Sequence, residues 1–224
     1  MKEARPYRLD ERGRWLIVSF PEPWSILSWA VVNGGFTQSS RAAWLYLERD
    51  EIRDVADPAE WMRARMHAEG IAGAIGFMTS RRKLAWVEAS ANESSGRAWA
   101  IGTVGMSNAL RAGDPPAASL NHGTINLFVT YSAPLSTEAA LEALCLVSEA
   151  KATAVLESRV PSTRSDEAAS GTGTDYLAIA WPTIGERVRY AGKHTAAGSV
   201  IARAALNAVR EGVRQWKEEF GSPA

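Results

Sequence analysis

The second half of the chain sets two long helical patterns on either side of one short apolar run, and that arrangement constrains the fold most. The run is DYLAIAW (175–181). The first helical pattern starts at Ser136 and reaches about Ser158. Its apolar stripe is read as Leu141, Leu144, Cys145, Ala152, Val155 and Leu156, at helical spacing. The second runs from about Gly198 to Phe220, with Ala205, Val209, Val213, Trp216 and Phe220 on one side. Arg203, Asn207, Arg210, Arg214 and Lys217 repeat on the other and read as a solvated face. A lone strand between two helices must pair with strands from elsewhere, and the helices must then cover the resulting sheet.

The first half supplies those strands. WLIVSF (15–20), SILSWAVVN (25–33), IAGAIGFMT (71–79), KLAWVEAS (83–90), RAWAIGTVG (97–105) and GTINLFVTY (123–131) are rich in β-formers and bounded by turn residues. Asp57–Glu69 reads as a short helix, with Asp57 as cap, Pro58 in the first turn and Gly70 at the end. No internal repeat or linker divides the chain. The expectation is one α+β domain over residues 1–224, a mixed sheet covered by helices, with a layered α/β/α arrangement as one form of it. Arg159–Ser170 (RVPSTRSDEAAS) is the least patterned stretch and is expected to be a mobile loop.

Composition narrows the partners. Lys plus Arg and Asp plus Glu both number 25, so nothing in the net charge favours a nucleic acid. Cys145 is the single cysteine, so no internal disulfide forms, and no Cys/His cluster has zinc spacing. The first residues are charged and lack an apolar signal core, and no apolar run approaches a membrane span. The protein is expected in the cytoplasm, with no membrane partner. Nine tryptophans are present; most are expected to fill the core, and some to line a site for a broad, flat ligand.

Chemistry concentrates between Gly171 and Gly198. A small, hydroxyl-rich turn (Gly171, Thr172, Gly173, Thr174) precedes Asp175, and a second small-residue turn carries His194. An acid, a histidine and hydroxyls are the material of proton transfer; two ordinary polar turns around a buried strand are the plainer alternative. Ser148 and Lys151 form a Ser-x-x-Lys pair on one helix face, a nucleophile–base pattern. A core serine beside a lysine that reaches water explains that pair equally simply. His67 reads as a surface residue, and His122 is open to either role. No zinc-protease helix, Walker loop or dinucleotide fingerprint is present.

Several ordered blocks together resemble the adenosylcobinamide amidohydrolase family, the CbiZ-type enzymes of corrinoid salvage. They are Asn33-Gly34-Gly35; Ile75-Gly76-Phe77-Met78-Thr79; Thr103 to Ala109 with Arg111-Ala112-Gly113; Gly123-Thr124-Ile125-Asn126; Glu149-Ala150-Lys151; Gly171 to Asp175; and Tyr190-Ala191-Gly192 followed by His194-Thr195. The chain departs at Ser148 and Lys193, where the family often has threonine. The first change keeps a hydroxyl; the second places a cation beside His194, able to lower its pKa or touch a substrate group.

The resemblance implies hydrolysis of the amide that links aminopropanol to the corrin ring of adenosylcobinamide, giving adenosylcobyric acid and aminopropanol. The corrinoid is substrate, and no cofactor or metal is implied. Asn33, Gly34, Gly35, Ser107, Asn108, Arg111, Asn126, Thr172, Gly173, Thr174 and Lys193 become candidate substrate-binding residues. His194, Asp175, Ser148, Lys151 and Glu149 become candidate catalytic ones. In the favoured scheme His194 is general base and acid, Asp175 orients it, turn N–H groups hold the oxyanion and water attacks. The competing scheme forms an acyl-enzyme at Ser148 with Lys151 as base. A non-catalytic corrinoid carrier or sensor, and an amidase for another bulky amide, remain alternatives. The sequence does not fix the oligomeric state; a homodimer is compatible with it.

Overall fold

A computed structural model describes residues 5–83, 85–93, 96–116 and 123–221. Ser94 and Ser95 of one expected turn, and His122, lie outside the described residues. Among the described residues the chain forms one eight-stranded mixed sheet. Its strands are β1 (Arg8–Arg12), β2 (Trp15–Ser28), β3 (Gly35–Tyr46), β4 (Ile75–Thr79), β5 (Val87–Glu93), β6 (Gly96–Val104), β8 (Ile125–Tyr131) and β10 (Tyr176–Trp181). Two short strands, β7 (Ala109–Leu110) and β9 (Gly171–Thr172), pair separately. The helices are α1 (Pro58–Ala68), α2 (Thr137–Ser158) and α3 (Ala196–Phe220). The expected α+β architecture is what forms.

The sheet order is β4-β3-β2-β10-β8-β6-β5, with β1 added to β2. The β3–β4 and β8–β10 pairs are parallel, and the other pairs are antiparallel. The two runs expected as separate strands before Asn33 are one strand, β2. It is broken only by a register shift between Ser19 and Trp24, at Pro21 and Pro23, which have no N–H to give a ladder. The sequence reading assigns no strand to β3. Its first half is exposed and polar, and only Ala42–Tyr46 carries a strand-like apolar signal.

The helices share one face of the sheet. Leu127, Val129, Leu177 and Ile179 pack with α2 and α3, while Ala43 and Leu45 pack with Met62 and Met66 of α1. The opposite residues of the same strands (Trp44, Phe77, Ile101, Phe128, Ala178) form a second core with no helix in it. That face closes on itself by curvature, so the helices make no second layer. The Phe128 ring lies 6.1 Å from Phe20 and 6.2 Å from Trp44. Asn126 fixes the curl: its Nδ2 donates to the Met78 carbonyl at 2.7 Å, tying β8 to the far edge strand β4, and to Thr103 Oγ1 at 3.2 Å. Gly102 permits the tight β6–β8 crossing, since a β-carbon there would collide with the Asn126 carbonyl oxygen.

Local signals place α1 as expected. The Asp57 side chain accepts from Glu60 N at 3.0 Å, Pro58 opens the helix, and Gly70 follows with φ of 73°. The stripe of α2 is a correction. Leu141, Cys145 and Leu156 are exposed, and the buried face runs through Ala140, Ala143, Leu144, Val147, Ala150, Lys151, Ala154 and Val155. Alanine carries little hydrophobicity per residue but lets α2 lie close against α3 and the sheet. Most tryptophans fill the core, as expected: Trp15, Trp44, Trp99, Trp181 and Trp216 are buried, while Trp29 is exposed.

Asn126 is wholly buried and its amide is spent on the Met78 carbonyl. Asn126→Ala leaves that carbonyl without its donor, at a cost of about 2 kcal/mol. Thermal unfolding should shift down by about 4–8 °C, and an unchanged midpoint would remove the staple from this account.

Candidate functional site

The Gly171–Asp175 turn is assembled around one carboxylate. Asp175 accepts from Thr172 Oγ1 at 2.6 Å, from Thr172 N at 3.1 Å and from Ile125 N at 3.3 Å. Lys151, from the buried face of α2, reaches its Oδ2 at 2.7 Å. The Lys151 Nζ also donates to the Ser170 carbonyl at 3.1 Å. Both side chains of the pair are 11% exposed, so water competes weakly and the charge-assisted bond is a strong one. A β-carbon on Gly171 would collide with the Asp175 carboxylate and the Lys151 amine at once. That close approach accounts for the first glycine of Gly-Thr-Gly-Thr.

The turn borders a cleft of about 530 Å³. Asn108, Thr124, Thr174 and Arg111 give it polar groups, and Leu47, Met78 and Leu110 give it apolar ones. Asn108 is 7% exposed, and its Nδ2 stands against the α-carbon of Gly173. Among the described residues no group hydrogen-bonds the Asn108 side-chain amide; the Asn108 backbone carbonyl accepts from Gly173 N at 3.2 Å. Thr124 donates from Oγ1 to the Thr174 carbonyl. Tyr176 is also at the cleft; burial raises its hydroxyl pKa, so the group stays a neutral donor.

The 109–114 segment continues the same rim, since Ala109 and Leu110 pair with Thr172 and Gly171, and the 160–170 segment ties it down. Asp114 accepts from Ser162 Oγ at 2.5 Å, Ser165 Oγ at 2.7 Å and Arg111 N at 2.7 Å. The Ser162 hydroxyl first, and then the Arg111 N–H, hold its carboxyl below the usual range. Thr163 N and Oγ1 both donate to the Ala109 carbonyl, and Arg111 Nη1 donates to the Ala168 carbonyl at 3.0 Å. The stretch expected as a mobile loop thus carries a regular set of bonds to the rim.

The structure brings together some of the expected site residues and separates others. Lys151, Asp175, Thr172, Gly173, Thr174, Asn108 and Arg111 gather at the cleft and the turn behind it. His194 does not join them. It is exposed at the entry to α3, where the neighbouring Ala191 N donates to Glu142 at 2.6 Å. Beside it Lys193 pairs with Glu149. Glu149 and Lys151 are two residues apart on α2, about 200° around its axis, so they face opposite ways. Asp175 accordingly holds Lys151 and the turn, and among the described residues no hydrogen bond joins it to His194.

Other expectations are revised in the same way. The N–H groups of Thr172, Gly173 and Thr174 are bonded to Asp175, Asn108 and Thr172 Oγ1, so they are not free to hold an oxyanion. Ser148 is half-buried and Lys151 lies on the buried face of α2, the reverse of the expected placement. Asn126 is a core staple. Asn33 has φ of 58° and spends its amide on the Ala72 and Ala74 carbonyls at 2.8 and 2.7 Å. Asn33, Gly34 and Gly35 thus form a turn away from the cleft walls. Ser107 belongs to an adjoining cavity of about 600 Å³ that shares Leu47, Ile52 and Ser80 with the cleft. Thr124, Asp114 and Tyr176 are missed by sequence reasoning; Thr124 had a signal, as the residue after Gly123 in a quoted block. Among the described residues no three His, Cys, Asp or Glu side chains gather to hold a metal, and no helix is long and apolar enough to cross a membrane.

The Lys151–Asp175 pair is testable as a unit. Lys151→Met leaves a buried carboxylate without its cation and should destabilise by about 3 kcal/mol in urea unfolding. Combined with Asp175→Asn in a double-mutant cycle, the losses should be non-additive by at least about 1 kcal/mol. Simple additivity would mean the two groups act independently.

A 90-residue stretch is 37% identical to an uncharacterized protein of Methanocaldococcus jannaschii, covering 40% of this chain and 35% of that protein. The chain thus matches about a third of that relative's length. A crystal structure of a Pyrococcus horikoshii protein superposes over 96% of this chain and 83% of its own, with a TM-score of 0.48 and 8% identity. The family model described as adenosylcobinamide amidohydrolase matches residues 1–220, a span that takes in both the cleft and the Lys151–Asp175 turn behind it. The chain belongs to the adenosylcobinamide amidohydrolase family, CbiZ.

Proposed function

We propose that the protein hydrolyses the amide linking aminopropanol to the corrin ring of adenosylcobinamide, releasing adenosylcobyric acid and aminopropanol, and that it does so in the cleft beside the Gly171–Asp175 turn. Family membership supports the reaction class. The observation that carries the location is Asn108: its residue is largely buried, its side chain lines the cleft, and its amide has no hydrogen-bond partner among the described residues. Its donor is therefore available to a substrate carbonyl, a bond worth about 1 kcal/mol. A corrinoid presents a broad apolar face with amides around its rim. The cleft offers both kinds of group, Leu47, Met78 and Leu110 for the apolar face and Asn108, Thr124, Thr174 and Arg111 for the amides.

In this reading water attacks the amide carbon, and Asn108 Nδ2 donates to the carbonyl oxygen as negative charge grows there. The proton that the attacking water gives up passes to the nitrogen, the carbon–nitrogen bond breaks, and the free amine leaves from the new carboxylic acid. Lys151 and Asp175 are positioning residues, which hold the turn bearing Gly173 and Thr174 against Asn108. His194 and Lys193 stand outside the cleft, and Ser148 is not required as a nucleophile.

The deciding experiment is incubation with adenosylcobinamide and detection of adenosylcobyric acid by mass spectrometry. Asn108→Ala should lower kcat by about 100-fold, while His194→Ala and Ser148→Ala should keep near-normal turnover. Turnover lost in His194→Ala but kept in Asn108→Ala would move the reaction to the entry of α3. Tight binding with no product from the unaltered protein would assign it to corrinoid binding instead.

A further inference from the structure

The cavity that adjoins the cleft contains a buried cation with unused donors. Arg81 follows β4 and is 5% exposed. Its Nη2 lies 2.8 Å from Glu219 Oε2, near the end of α3. Arg82 Nε lies 3.3 Å from that same oxygen. Arg82 is 72% exposed and meets water, so Arg81 is the buried partner of that carboxylate. Arg81 Nε and Nη1 are buried with no hydrogen-bond partner, and so is the Trp216 indole N–H. Arg81, Trp216 and Ser107 all belong to the wall of the second cavity, about 600 Å³ in volume. Glu48, Asp50 and Glu51 line the same cavity, but each is balanced by another arginine: Glu48 and Glu51 pair with Arg14, and Asp50 pairs with Arg53.

A buried guanidinium with two orphaned N–H donors is costly even when a carboxylate balances its charge. A small oxyanion would supply the missing acceptors. We propose that the second cavity is an oxyanion subsite, in which a phosphate or carboxylate group binds Arg81 and the Trp216 indole N–H. Phe220 controls access. Its ring lies 5.4 Å from the Arg81 guanidinium carbon, yet the residue is 59% exposed at the last position of α3, so it can swing outward. Because Leu47, Ile52 and Ser80 line both cavities, an occupant of the subsite borders whatever fills the cleft.

The test uses the full chain and two probes, inorganic phosphate and acetate, each against chloride at equal ionic strength. Phosphate at about ten times its dissociation constant should raise the thermal midpoint by about 3 °C. Acetate reproduces the rise if the subsite takes carboxylates, and leaves it unchanged if it takes phosphates. Arg81→Met should abolish the response. Trp216→Phe, which keeps the ring and removes the N–H, should weaken it in a protein that folds. Phe220→Ala should preserve or strengthen it. A wild-type protein indifferent to both probes, or a Trp216→Phe variant that responds in full while folded Arg81→Met also does, would overturn the proposal. None of these readings depends on turnover of a corrinoid, so the subsite and the hydrolase reading fail separately.

Discussion

The ion pair between Lys151 and Asp175 is the contact on which the site depends. It joins an element from the helical layer to a turn at the start of β10, and through Ile125 N it reaches the start of β8. Two neighbouring parallel strands and the helix that connects them are therefore registered by one carboxylate. A buried pair of this kind contributes little net stability compared with an apolar replacement, but it is intolerant of losing one partner. Its value lies in placement: with Asp175 fixed, Gly173 and Thr174 have one position against Asn108.

Sheet curvature supplies the second half of the arrangement. Asn126 draws β4 onto β8, which brings the end of β4 beside the start of β8 and puts Met78 and Thr124 in the same cleft. A flat sheet of the same order would hold these strands apart, since β3, β2 and β10 intervene. The aromatic core of Phe20, Trp44, Phe77 and Phe128 fills the concave side, so the curl is backed by close packing as well as by the asparagine.

What could be read from the sequence was local. Asp57, Pro58 and Gly70 specify α1 because a cap needs only residues within one turn of it. The strands β6, β8 and β10 announce themselves through continuous apolar runs. The buried face of α2 does not, because alanine gives almost no amphipathic signal, and Leu141 and Leu156 pull the apparent stripe to the wrong side. The partner of Asp175 is hidden for a related reason. His194 is close along the chain, but a carboxylate is paired by the fold, and Lys151 arrives from the other direction. Asn126 stood inside a recognisable block, yet its role rests on Met78, 48 residues away, and no spacing rule reaches that far. Arg81 lies in Ser-Arg-Arg-Lys, a run that reads as solvent-facing until α3 is laid over it.

The long strand β2 has a divided edge. Along Trp15–Ser19 its free side is taken by β1, and along Ser25–Ser28 by β10, with the shift at Pro21 and Pro23 between them. The N-terminal strand therefore acts as a cover for half of an otherwise open ladder. Without it, Leu16 to Ser19 would present unpaired N–H and C=O groups beside apolar side chains, the surface on which unrelated chains add as extra strands. Residues far from the cleft, Arg8 to Arg12, thus satisfy the ladder along that half of β2, and the charged side chains of Arg8, Asp10 and Arg12 meet water along the new outer edge.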